Sequence, residues 1–82
     1  RNKQEQIIEV SFDYRIEVVA LEKLPNIQKA VNIHDFDYEL HIKGTKDMRP
    51  SIFDFAHDNG LKISNLQLKN QSLEQLFNEL TV

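Results

Sequence analysis

Two histidines and two aspartates suited to metal chemistry lie close together near the middle of the chain: His34, Asp35, Asp37 and His41. Imidazole and carboxylate groups are ordinary zinc ligands, so the cluster is a candidate metal site. The β-hairpin predicted here places His34 beside Tyr38. It pairs His41 near Val31, farther along the strands, so the two imidazoles would not converge. We therefore interpret the cluster as a solvated hairpin tip and predict no metal ligand in the chain.

Other reactive side chains have no supporting motif, and no Ser-His-Asp set is recognisable. His57 lies near the end of a predicted helix, where it interacts favourably with the helix dipole. Four carboxylates are interpreted as solvated helix faces: Asp54, Asp58, Glu74 and Glu79. With two glycines in all, Gly44 and Gly60, no Gly-x-x-x-x-Gly-Lys-Ser/Thr phosphate loop can be written. The sequence predicts no catalytic residue and no cofactor.

Length and composition indicate one small domain that covers residues 1–82. The net charge is -3, and Lys and Arg are scattered, so no basic stripe is available to follow a nucleic-acid backbone. The absence of cysteine excludes disulfides and fits a reducing compartment. The chain starts at Arg1 without an initiator Met or a signal peptide, and no apolar stretch reaches membrane-spanning length. We expect a domain excised from a longer cytoplasmic protein.

The hydrophobic periodicity predicts four strands and three helices. Strands are expected at 6–12, 27–34, 38–43 and from Leu61 to Leu68, and helices at 17–23, 48–59 and from Ser72 onward. In the second strand Ile27, Val31 and Ile33 should share a face, with Ala30 on the other. This order predicts an α+β fold, namely a ferredoxin-like βαββαβ antiparallel sheet with an extra C-terminal helix.

Local signals refine the second helix and the last strand. Asp47 is the expected helix cap, Pro50 fits the first turn, and Gly60 suits the left-handed residue that ends the helix. Phe53 points away from the apolar stripe of this helix. The apolar positions of the last strand change parity across Ser64 and Asn65, which indicates either a bulge or a strand that is apolar on opposite faces in its two halves.

The third helix has the most explicit sequence signature. Ser72 is the predicted cap, and Gln75 is placed to bond back to the cap amide. Leucine and phenylalanine side chains follow at helical spacing: Leu73, Leu76, Phe77 and Leu80. Such a short helix is marginal in water by itself, so its apolar face must pack on this domain's own sheet or on another domain.

The sequence of this segment, Ser-Leu-Glu-x-x-Phe-x-x-Leu-Thr, resembles the C-terminal motif of the accessory domain that follows the nucleotide-binding domain in ABC-transporter ATP-binding subunits, including the gliding-motility type. The residues that carry the resemblance are Ser72, Leu73, Glu74, Leu76, Phe77, Leu80 and Thr81. Leu24-Pro25-Asn26-Ile27 is similar to the family's Leu-Pro-Gly-Val turn, and residues 59–66 are similar to its glycine-ended helix entering the last strand. Asn26 replaces the usual glycine, and Gln75 an acidic residue.

The resemblance implies an accessory or regulatory role without chemistry of its own. ATP and Mg²⁺ would bind the upstream nucleotide-binding domain, which would also be the partner of this domain. Membrane permease subunits would be reached through the parent complex, and the parent subunit would form a homodimer at the cytoplasmic side of the inner membrane. The alternative is a free-standing ferredoxin-like domain that senses small ligands. A domain of that class is expected to have a glycine-rich turn after the first strand, whereas residues 13–16 of this chain are bulky.

Overall fold

A computed structural model describes residues 5–69 of the chain. The elements are β1 (Gln6–Phe12), α1 (Val18–Glu22), β2 (Ile27–His34), β3 (Asp37–Ile42), α2 (Arg49–Asp58) and β4 (Ile63–Lys69). This order is the predicted succession of strands and helices up to β4. The predicted C-terminal helix lies outside the described residues. Within residues 5–69, neither helix is long and apolar enough to cross a bilayer.

The four strands form one antiparallel sheet in the order β2-β3-β1-β4. β1 and β3 are therefore the central strands, and Ile8 pairs with Leu40 on one side and with Leu68 on the other. Since every neighbouring pair is antiparallel, β1 runs parallel to β2 with β3 between them. The fold is α+β, with an open four-stranded sheet and two helices.

Both helices pack on one side of the sheet, which we call the helix face. Alternate residues of the central strands point to this side and join one buried cluster. Its fully or nearly fully buried members are Ile8, Val10, Phe12, Tyr38, Leu40 and Ile42 from the strands, Leu21 from α1, and Met48, Ile52 and Ala56 from the second helical region. The ring of Phe12 lies 5.8 Å from that of Tyr38 and 6.1 Å from that of Phe55, both in tilted arrangements.

The intervening residues of the same strands point to the opposite side, which we call the outer face. They include Ile7, Glu9 and Ser11 of β1 and Glu39 and His41 of β3. No helix within residues 5–69 packs on this side. The two faces therefore differ sharply in composition, although alternate residues of the same strands form them.

β2 does not follow the predicted alternation. Ala30 pairs with Leu40 and is buried in the core, whereas Val31 lies opposite Glu39 on the outer face. The register shifts between Ile27 and Lys29 and again between Asn32 and His34, so the residues from Lys29 to Asn32 lie on the faces opposite to those predicted. The prediction that Val31 shares a face with Ile27, with Ala30 on the other side, is therefore wrong.

β4 contains a bulge, the first of the two predicted alternatives. Phe12 pairs with Ile63 and Ser11 with Asn65, so Ser64 is the extra residue. Leu66, opposite Val10, and Leu68, opposite Ile8, thereby return to the helix face. The second alternative, in which these leucines point to the other side, is excluded by this register.

The local predictions for α2 are largely confirmed. Pro50 lies in the first turn, and Gly60 adopts φ 67 after the helix ends. The residue at the N-cap position is Met48, which makes no side-chain cap bond. Asp47 nevertheless accepts a hydrogen bond from the Arg49 amide at 3.1 Å, so its carboxylate satisfies the first helical N–H group.

Candidate functional site

The residues predicted to carry the family motif all lie beyond the described part of the chain. They are Ser72, Leu73, Glu74, Leu76, Phe77, Leu80 and Thr81. Their predicted cap and apolar stripe remain predictions. The described residues offer three other features that bear on function: a set of charged side chains on the outer face, a groove beside α2, and a cavity at the start of α1.

The four residues first considered as a metal site are separated in the structure. His34 pairs with Asp37 and His41 with Lys29, each shifted from the predicted partners because of the irregular register of β2. The His34 ring contacts the neighbouring Asp35 carboxylate at 3.1 Å, and both side chains are exposed. Within residues 5–69, no group of three or more His, Cys, Asp or Glu side chains is placed to hold a metal ion.

His41 instead lies between two carboxylates on the outer face. Its Nδ1 atom is 3.2 Å from Glu5 Oε2, and its Nε2 atom is 3.2 Å from Glu39 Oε1. Ionised carboxylates only accept hydrogen bonds, so both contacts are hydrogen bonds when both ring nitrogens carry a proton. Hydrogen bonds to an ionised carboxylate are stronger than bonds between neutral groups.

The neighbouring polar side chains of the outer face are also paired. Glu9 accepts a hydrogen bond from Asn65 at 3.0 Å and forms an ion pair with Lys69 at 3.2 Å. The Ser11 hydroxyl donates to Asp37 at 2.6 Å. Across the described residues, every buried side-chain nitrogen or oxygen has a partner. This face therefore meets the usual requirement for burying polar groups.

An apolar groove runs between the start of α2 and β4. A cavity of about 570 Å³ is lined there by Asp47, Arg49, Pro50, Phe53 and Leu66. Phe53 is 53% exposed, and Leu68, the next helix-face residue of β4, is 61% exposed. We call the surface formed by Phe53, Leu66 and Leu68 the α2–β4 groove. An apolar groove that holds an exposed phenylalanine is a candidate surface for binding another protein element.

Charged side chains border one end of this groove. The Arg49 guanidinium donates to both oxygens of Asp47, each at 2.9 Å. The Arg49 side chain and the Arg49 amide together lower the pKa of Asp47 to about 2. The pKa of Arg49 is raised by the same hydrogen bond. This pair holds opposite charges together beside the apolar side chains.

A second cavity, of about 330 Å³, lies where the β1–α1 loop meets β2. It is lined by Arg15, Ile16, Glu17, Val18 and Asn32. Arg15 donates to the Asn32 side chain at 3.3 Å. The Tyr38 hydroxyl accepts from the Ile16 amide at 2.7 Å and donates to the Ile16 carbonyl at 2.8 Å. Tyr38 thus fixes the loop and occupies the backbone groups of Ile16.

Sequence reasoning missed the charged set on the outer face. The signal was present as the polar positions that alternate with the core residues of β1 and β3, but the partners of His41 were not identifiable, since Glu5 is 36 residues away. The exposure of Phe53, by contrast, follows from its position on α2.

In comparisons with known proteins, no family model, no curated protein and no solved structure matches this chain.

Proposed function

We propose that this chain is a C-terminal accessory domain of the ATP-binding subunit of an ABC transporter, with a docking or regulatory role and no chemistry of its own. The proposal rests on the resemblance carried by residues 24–27, 59–66 and 72–81. Its partner is the nucleotide-binding domain of the same polypeptide. The permease subunits, the homodimer of the parent subunit and the location at the inner membrane belong to the same proposal.

The observation that carries the proposal is the conformation of Asn26. This residue adopts φ 70, in the left-handed region where glycine is favoured and asparagine is the best tolerated alternative. An asparagine can therefore stand where the family has glycine without straining the turn. The departure from Leu-Pro-Gly-Val at Asn26 is thus conservative in physical terms, which supports the proposal.

Two further observations support the proposal. Gly60 ends α2 with φ 67, as a glycine-ended helix entering the last strand requires. The α2–β4 groove offers apolar side chains to a neighbouring domain, which is what a docking module needs.

We also propose that the topology is ferredoxin-like. The support is the succession βαββαβ together with the strand order β2-β3-β1-β4, in which each parallel pair of strands encloses a third. The extra C-terminal helix remains part of this proposal, since it follows β4 in the sequence.

The gene that encodes the chain provides the first test. We expect a Gly-x-x-x-x-Gly-Lys-Ser/Thr loop and a signature loop within a few hundred residues upstream of Arg1. A reading frame that lacks both would contradict the proposal. Calorimetric titration of the 82-residue chain with ATP and Mg²⁺ should give no saturable heat. Saturable binding would contradict the absence of nucleotide chemistry.

A ligand-sensing domain is the second candidate, and the cavity beside Arg15 and Asn32 is the observation that favours it. The Ile16 amide is engaged by Tyr38, which leaves that backbone group unavailable to a ligand. Titration with a panel of amino acids, followed by NMR shifts of the Arg15 and Asn32 side chains, tests this candidate. Saturable shifts at both residues would favour it over the accessory domain.

A further inference from the structure

The outer face is as buried as the core at the centre of the sheet. Ile7 is 3% exposed, Ser11 6%, Glu39 5% and His41 7%. Both described helices pack on the opposite face, where Leu21, Ile52 and Ala56 join the core. A sheet face in water leaves its central side chains partly wet, so burial of this degree requires a covering element.

We infer that residues 72–82 cover the outer face and that their apolar side chains pack over Ile7. The inference does not depend on the proposed function. β4 ends at Lys69, which pairs directly with Ile7. The last residue of β4 therefore lies beside Ile7, the buried residue that the proposed segment would cover.

The dimensions agree with this placement. Four strands spaced by about 4.8 Å make a sheet about 14 Å wide. The helix predicted from Leu73 to Leu80 would be about 12 Å long at its usual rise per residue. Its apolar side chains lie on one side, while Glu74, Asn78 and Glu79 lie on the other and would remain in water.

The outer face tolerates an apolar cover despite its charges. His41 is held by Glu5 and Glu39, and Glu9 is held by Lys69 and Asn65. Polar groups that are already paired keep their hydrogen bonds when water above them is removed, so none is left unsatisfied. Residues 1–4, which precede β1 in the sequence, are Arg, Asn, Lys and Gln and have no apolar side chain to contribute.

The first experiment is NMR of the isotope-labelled 82-residue chain. We expect nuclear Overhauser effects between the Phe77 ring protons and the Ile7 methyl groups. Effects from Phe77 to Leu66 or Leu68 in their place would move the segment to the α2–β4 groove and overturn the inference. Effects to Ile7 that appear only between labelled and unlabelled chains would assign the cover to a second copy. No effect to Ile7 would also overturn it.

The second experiment uses the three histidines of the chain as probes of access. In the unmodified chain, diethyl pyrocarbonate should modify His41 far more slowly than the exposed His34 and His57. Phe77→Asp should raise the rate at His41 severalfold and leave His34 and His57 unchanged. Asn78→Asp, which adds the same charge on the polar side, should change none of them. Equal rates at His41 in both variants would overturn the inference, and if Phe77→Asp unfolds the chain, the NMR contacts decide.

Discussion

The two faces of the sheet reach similar burial by different means. On the helix face, apolar side chains such as Leu40 and Ile52 pack together and need no partner of specific chemistry. On the outer face, Glu39 and His41 are nearly as buried, and each is tied to a partner by hydrogen bonds. The helix face is therefore held by non-directional packing, whereas the outer face depends on a few specific contacts. Loss of a single group should affect them differently.

Truncation of a core side chain on the helix face should have the largest effect on stability. Leu40 is fully buried in the middle of β3, so Leu40→Ala removes apolar contacts and leaves a cavity. We expect a loss of about 4 kcal/mol in the free energy of unfolding. Urea denaturation followed by circular dichroism measures it. A loss below about 1 kcal/mol would mean that this face is not a tightly packed core.

Removal of the central imidazole should be the next largest effect. His41→Ala leaves Glu39 buried without its partner and also frees Glu5. Leaving a buried hydrogen-bonding group without its partner costs about 1 to 3 kcal/mol, and more for a charged group. The exposed His57 provides the matched control, and His57→Ala should stay within about 0.5 kcal/mol. Equal stabilities for the two variants would show that the outer face is open to water.

The α2–β4 groove should affect binding rather than folding. Phe53→Ser should change the stability of the isolated chain by no more than about 0.5 kcal/mol, because Phe53 is exposed. If the groove docks the nucleotide-binding domain, the same substitution should weaken that association by about 2 kcal/mol, measured by calorimetry with the separate domain. Val19→Ser is the control, since Val19 is equally exposed on α1. Equal weakening by both variants would rule out the groove as the specific contact.

The smallest expected effect is the acid dependence at the start of α2. The pKa of Asp47 is lowered from 3.8 to about 2 by the Arg49 side chain and amide. Because the pKa of Asp47 is lower in the folded chain than in the unfolded chain, the ionised carboxylate stabilises the fold at pH values above 3.8. This stabilisation is lost as the pH falls from 3.8 toward 2. The melting temperature of Asp47→Asn should therefore lie slightly below that of the parent at neutral pH and converge with it in acid. Asp54→Asn, within α2, controls for the loss of one carboxylate charge.

Sequence patterns identified the elements wherever one face of a strand is uniformly apolar. Tyr38, Leu40 and Ile42 alternate without interruption, and β3 lies where they predict. In β2, Ala30 and Val31 were assigned the wrong faces because the register shifts between Ile27 and Lys29 and again between Asn32 and His34. A bulge at Ser64 was one of two predicted alternatives, since the change of parity in β4 was visible in the sequence.

The candidate surfaces were less predictable for a physical reason. The exposure of Phe53 is a property of one helix and follows from its spacing. The contacts of His41 with Glu5 and Glu39 depend instead on the register between strands that are distant in sequence. Periodicity within one strand assigns a residue to a face but does not identify its neighbours on that face.

A double-mutant cycle between His41 and Glu39 tests most directly the claim that the outer face is a buried surface held by charged hydrogen bonds. The free energies of unfolding of the parent, His41→Ala, Glu39→Ala and the double variant give the coupling between the two side chains. We predict a coupling of about 1.5 to 3 kcal/mol, as for a hydrogen bond to a charged group that is shielded from water. A coupling near zero would contradict the account, because it would mean that water screens the pair.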